Sequence, residues 1–213
     1  MKIFSSIILF LLVLNFRIQL NAQNFHYGFQ AGLVVANSHL LFEPELEHAS
    51  NSWDPILSYD INGHVSFRSN GFWGLSTEPG YMQKGELQKY NKDDSNDDVR
   101  IQLNYLQIPV LWQSYFAKII FISLGSEFAY LLNVKAKSES NKVDISKYFE
   151  KKFEVSGIIG GGVTLIHHID IEFRYNHGIT YLRKLSVVDI LGNPQGEVTE
   201  YNQYFQLVFR LKL

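Results

Sequence analysis

The chain closes on Tyr-Phe-Gln-Leu-Val-Phe-Arg-Leu-Lys-Leu (204–213). Phe205, Leu207, Phe209, Leu211 and Leu213 share one parity, and Gln206, Val208, Arg210 and Lys212 share the other. Successive side chains of a strand point to opposite faces, so this stretch has one apolar face and one largely polar, cationic face. A strand standing between lipid and the lumen of a membrane β-barrel needs that pattern, because its outer face meets hydrocarbon and its inner face a polar interior. The fold class it predicts is all-β: an eight-stranded antiparallel up-and-down transmembrane β-barrel.

Seven further alternating stretches precede it, over 25–36, 56–67, 72–84, 100–115, 119–134, 153–165 and 169–181. Each is at or above the ~9–11 residues that a tilted spanning strand requires. The connections alternate in length: long over 37–54, 85–99, 135–152 and 182–202, short over 68–71, 116–118 and 166–168. Short periplasmic turns and long extracellular loops are the pattern of outer-membrane barrels, whereas a soluble sandwich has no reason to sort its loops this way. Asn70-Gly71 suits a tight turn. Pro79 removes a ladder donor and predicts a bulge or kink in the third strand. In the fourth strand the apolar parity passes from Ile101, Leu103 and Tyr105 to Leu106, Ile108, Val110 and Trp112. A one-residue slip turns every side chain over, so a bulge is expected there. A short helix is expected within 144–152.

Ahead of the first strand, Met1-Lys2 opens an apolar run from Ile3 to Leu14, followed by Arg17 and Leu20-Asn21-Ala22. This predicts a secretory signal peptide over 1–22 and a barrel domain over 23–213; the run is short of the ~20 residues of a spanning helix. Losing Lys2 and Arg17 with the leader takes the net charge from −2 to −4. No basic stripe remains to neutralise phosphates, so nucleic acid is not an expected partner. The chain has no Cys, which excludes disulfides, Cys-based zinc sites and lipid anchoring through an N-terminal cysteine.

With the apolar face outside, the lumen collects Asp60, Glu78, Glu127, Asp170, Glu172, Arg174, Arg210 and Lys212, together with His26 and His64. Eight strands enclose just enough space for side chains to fill, and charges there must pair. The expected network joins Arg174 and Arg210 to Glu78, Glu127 and Glu172, with Gly28, Gly32, Gly74, Gly80, Gly125, Gly160 and Gly162 making room. It reads as structural: no catalytic residue, cofactor or metal site is expected. His167-His168 reads as a hydrated turn. Asp93, Asp94, Asp97 and Asp98 lack the glycine and closing Glu of a calcium loop. Gly160-Gly161-Gly162 has no Lys-Ser or Lys-Thr after it and is no phosphate loop. His177 falls on the lipid face without a Ser beside it in the strand, which argues against a lipid hydrolase.

Several stretches also resemble a known family. The leader ending Asn21-Ala22-Gln23, Phe-His-Tyr-Gly-Phe-Gln-Ala-Gly (25–32), Glu-Pro-Gly-Tyr-Met-Gln-Lys-Gly (78–85), Leu-Asn-Tyr-Leu-Gln-Ile-Pro (103–109) and Phe-Arg-Tyr-Asn-His-Gly (173–178) are similar to the PorT-like outer-membrane β-barrel family of Bacteroidetes-type bacteria. The founding member belongs to a protein secretion machinery linked to gliding; its pattern differs around the Leu-Gln-Ile-Pro strand, and its role is not carried over. In the family the position of Gln107 is often Glu and the chain often ends in an aromatic, where this one ends in Leu213. The function expected is that of a non-enzymatic outer-membrane barrel with a filled polar lumen and a structural or surface-interaction role. Its expected partners are outer-membrane lipid, the barrel-insertion machinery, and a surface or secretion partner. Two alternatives stand beside it: an accessory component of the secretion and gliding machinery, and a soluble periplasmic barrel binding a lipophilic ligand with its apolar face turned inward.

Overall fold

The computed structural model describes residues 25–43, 54–69, 72–89, 98–116, 119–138, 141–149, 151–166, 168–188 and 194–213. The expected leader, the Asn70-Gly71 turn, Asp93, Asp94, Asp97 and His167 lie outside the described residues.

The strands are β1 (Phe25–Glu43), β2 (Asp54–Arg68), β3 (Trp73–Thr77), β4 (Gly80–Gln88), β5 (Val99–Phe116), β6 (Ile120–Lys137), β7 (Lys142–Asp144), β8 (Phe153–Ile166), β9 (Ile169–Gly178), β10 (Arg183–Val188) and β11 (Pro194–Lys212). They form one 11-stranded sheet. All its pairings are antiparallel, and β1 pairs with both β2 and β11, so the sheet closes and its wall has no free edge. β3 and β4 are one pass broken at Glu78-Pro79, while β7 and β10 belong to the long connections and lean on β6 and β11. Eight passes result, as the alternation predicted. The kink expected at Pro79 is bridged: Gly63 N donates to Pro79 O at 2.9 Å, and Glu78 N donates to Pro109 O at 3.1 Å.

The apolar residues point outward. Phe29 is 65% exposed and Phe209 46%, values that only a surrounding hydrocarbon phase makes favourable over so many positions. Aromatics gather at both ends of this band. Near the short turns Phe25, Phe67 and Trp73 pack in series with tilted rings, centroids 5.3 and 5.8 Å apart. At the other end Tyr81 faces Leu106, Leu106 faces Tyr130 and Tyr130 faces Phe153, while Phe205 stands between Tyr175 and Val35. Since apolar residues clothe the barrel and polar ones fill it, the inward-facing lipophilic cavity of the soluble alternative does not form.

Three expectations are corrected. First, the pass ends differ from those the alternation suggested: β9 stops at Gly178, short of Tyr181, while others run on. β1 continues to Glu43, and β11 starts at Pro194 rather than after Asn202; β10 lies in the stretch expected to be a plain loop. Second, β5 does not slip. Ile101, Leu103, Tyr105, Gln107, Leu111 and Gln113 are all buried on one parity, and Leu106, Ile108, Val110 and Trp112 all exposed on the other. The bulge lies in the neighbouring strand: Asn104 faces Asn133 and Tyr105 faces Leu131, which leaves Leu132 as the extra residue of β6. The environment inverts instead. Beyond the upper aromatics the barrel stands in water, and there one side of its interior is apolar: Ile101, Leu103, Leu131, Val134, Phe149 and Leu182 form one buried cluster. Third, the short helix is a single 3-10 turn, Ser146–Tyr148. Ser146 Oγ accepts from Val134 N at 2.8 Å, and Phe149 tucks into that cluster.

Candidate functional site: the filled lumen

The inward face of each pass supplies one polar residue per two, and these stack in layers along the axis. In the lowest, Asp170 accepts from Lys212 Nζ at 2.8 Å, Arg210 Nη1 at 3.1 Å and Thr164 Oγ1 at 2.8 Å. In the next, Glu78 takes a two-pronged bond from Arg174, at 2.5 and 2.8 Å, a third from Arg210 Nη2 at 2.6 Å and a fourth from Gln30 Nε2 at 3.0 Å. Glu172 accepts from the same two arginines at 2.8 and 2.9 Å and from Ser123 Oγ. His64 Nδ1 lies 3.5 Å from Glu78 Oε1. Planar guanidinium forks suit such shared carboxylates, and charge-assisted bonds of this kind are the strong ones. Above them Asp60 accepts from Gln206 Nε2 at 2.8 Å and from Asn62.

A further layer centres on Lys84. Its ammonium contacts Glu127 at 2.7 Å and Glu154 at 3.0 Å and lies 4.8 and 4.7 Å from the ring centroids of Tyr105 and Tyr204. Tyr204 donates to Glu127, while Asn202 Nδ2 bonds Glu154 at 2.6 Å and Tyr105 at 3.2 Å. At the mouth, above the apolar band, Arg183 bonds Glu200 and lies 3.6 Å from Glu86. Burial first, and the facing Glu200 second, push the Glu86 carboxyl up to about 8.

The structure places all eight expected lumen residues inside, none more than 8% exposed. One expected pairing differs: Glu127 reaches neither arginine and pairs with Lys84 instead, because it stands higher along the axis. Sequence reasoning missed Lys84, Glu86, Glu154 and Glu200. Lys84 and Glu86 continue the parity of Glu78 and Met82, and Glu200 that of Gln206 and Asn202; following that parity past the assumed strand ends finds them. The glycines divide into two groups. A Cβ at Gly32 would stand 2.1 Å from Asp60 Oδ1, and one at Gly160 2.9 Å from Arg174 Cγ, so these two do make room for the network. Gly28 and Gly125 instead meet backbone of the adjacent strand, at 1.9 Å from Leu211 O and 2.1 Å from Val110 O. Among the described residues no group of three or more His, Cys, Asp or Glu is placed to hold a metal. His177 is exposed on the outer face, paired in register with Gly157 and Gln203 and 3.1 Å from the Tyr175 hydroxyl.

A closed sheet with an apolar coat, aromatic ends and an ion-paired interior defines an outer-membrane β-barrel protein. The comparisons agree: the model of the family described as "Outer membrane protein beta-barrel domain" matches residues 21–183, and the chain belongs to that family. Neisserial surface protein A shares the fold at 10% identity, covering 88% of this chain and 97% of its own, with a TM-score of 0.55. Ail, the attachment invasion locus protein of Yersinia pestis, is 10% identical over 86% of this chain and 97% of its own, with a TM-score of 0.43. OprG of Pseudomonas aeruginosa is 11% identical over 89% and 94%, with a TM-score of 0.42. No curated protein matches the sequence. The chain is an outer-membrane protein.

Proposed function

We propose that this barrel is a non-enzymatic, PorT-like scaffold whose lumen is closed by its own ion pairs and whose work is done at its extracellular surface. The observation that carries the reading is the direction of the lumen bonds. Glu78 lies on the third pass and Arg174 on the seventh, so their two-pronged bond spans the barrel's diameter. Asn202 and Tyr105, on the eighth and fourth passes, do the same one layer higher. With four donors on its two oxygens, Glu78 has no free lone pair with which to attack or accept a proton, and a substrate has no path past the bonds it makes. The PorT-like resemblance supports the finer assignment through the residues it rests on: the 78–85 and 173–178 stretches supply Glu78, Lys84 and Arg174.

Single-channel recording in planar bilayers tests the reading. The wild-type barrel should show no steady conductance, while Glu78→Ala combined with Arg174→Ala should open one. A stable wild-type pore of porin size would refute the closed lumen.

A further inference from the structure

On the outer flank above β8 and β9, a cleft of about 300 Å³ is lined by Tyr148, Lys151, Tyr181, Leu182, Arg183 and Lys184. Two of its lysines gather on one tyrosine ring, Lys184 while also paired with Glu197 at 3.1 Å. Lys151 Nζ sits 3.3 Å from the centroid of the Tyr181 ring, and Lys184 Nζ 5.7 Å from the same ring. Lys147 lies 4.9 Å from the centroid of the Tyr148 ring, which is itself 63% exposed. Arg183 is turned inward to Glu200 and anchors the cleft floor. Among the described residues neither Lys147 nor Lys151 has an acidic partner.

The charge of the loops is sorted in the same sense. Residues 135–152 carry six Lys against three acids, whereas 37–55 carry four acids and no Lys or Arg. An anion approaching the extracellular end is therefore drawn to one flank.

The position of the cleft selects its ligand. Leu182 N bonds Glu200 O, five residues beyond Phe205, the last apolar residue of β11 at the band's upper edge. At ~3.3 Å per residue on a strand tilted ~40°, that is about 12 Å above the hydrocarbon. This is beyond the ~5–7 Å of a phospholipid headgroup layer and within reach of the larger sugar headgroup of a glycolipid. At the upper edge of the apolar band, a groove across β1, β9 and β11 is lined by Val35, Tyr175, Gln203 and Phe205. An exposed tyrosine face such as that of Tyr148 stacks on the C–H face of a sugar ring, the half-buried Tyr181 ring holds Lys151 in place, and Lys147 and Lys151 can pair with the sugar's phosphate or carboxylate.

We infer that this cleft binds the anionic sugar headgroup of an outer-leaflet glycolipid, with an acyl chain of the same molecule lying in the groove beneath. The inference extends the surface role proposed above but does not depend on the lumen being closed, so the bilayer recordings and the following test fail separately.

The test measures binding of Kdo2-lipid A, a phosphorylated acidic glycolipid, to the full chain in nonionic detergent. Digalactosyl diacylglycerol serves as the neutral lipid and glucose 1-phosphate as the soluble anionic sugar. The expected result is that Kdo2-lipid A binds and the neutral lipid does not, that affinity falls as salt rises, and that Lys147→Glu with Lys151→Glu weakens binding about tenfold or more. Tyr181→Ala should weaken it while leaving the salt slope in place. A heat-dependent gel shift checks that each variant remains folded, and the salt titration of wild type decides the matter if one does not. Equal binding of the neutral lipid, or salt-independent binding, overturns the headgroup assignment. Glucose 1-phosphate binding as tightly as the glycolipid overturns the lipid source.

Discussion

At Gly160 and Gly161, adjacent residues of β8 face opposite solvents, and the difference can be measured. A Cβ at Gly160 would meet Ser123 Oγ, Arg174 Cγ and Glu172 Oε1 at 2.8–3.0 Å, whereas one at Gly161 finds only Phe121 O at 3.7 Å. Gly160→Val should therefore lower the urea midpoint of the barrel in detergent, while Gly161→Val should leave it unchanged; equal effects would show that the network yields to an added isopropyl group. Arg174 is a second such position. Arg174→Met leaves Glu78 and Glu172 sharing Arg210 alone and should cost about 3 kcal/mol, read from the same unfolding curves. Gly85 is special for its backbone: at φ 149° and with Ile101 O at 2.0 Å from a would-be Cβ, it admits no side chain where β2 and β4 lose register between Pro55 and Asp60.

Among the elements, β11 shows best how the fold is written in the chain. Its apolar parity sets its lipid face, so Phe209→Arg, near the middle of the band, should destabilise the barrel by about 2–4 kcal/mol. Gln206→Leu on the opposite face should act differently, orphaning one Asp60 oxygen rather than meeting lipid. The number of passes, their order, the break at Pro79 and the eight lumen residues were legible because inside the membrane the two faces differ so sharply. The upper ends of β1, β5 and β11 were not. There the outside becomes water, and along β5 the inside becomes apolar, so on that strand the same parity carries the opposite chemistry, and continuity looked like a slip at Tyr105-Leu106. Lys84 and Glu200 keep the polar inward parity and were hidden by position, one at an assumed strand end and the other in an assumed loop.

For the molecule as a whole, the mouth predicts a pH dependence. Glu86 has a carboxyl held near 8 against an ordinary 4.5. Between these values the folded barrel keeps a proton that the unfolded chain has lost, so the stability this group contributes is full below about pH 4.5 and is lost as pH rises towards 8. The difference in urea midpoint between pH 5 and pH 8 should shrink in Glu86→Gln; an unchanged slope would place the titrating group elsewhere.

The bonds that cross the lumen carry one more consequence. A thin-walled tube under lateral pressure fails first by flattening into an ellipse, and an unbraced eight-stranded ring resists that only through the bending stiffness of its sheet. Glu78 with Arg174, and Asn202 with Tyr105, act as spokes set at two heights. Flattening would have to stretch these cross-lumen bonds, the charge-assisted Glu78–Arg174 pair above all, before it moved any strand. This barrel should hold its round section as the tension or thickness of the surrounding bilayer changes, which makes it a rigid mounting for whatever its outer loops hold.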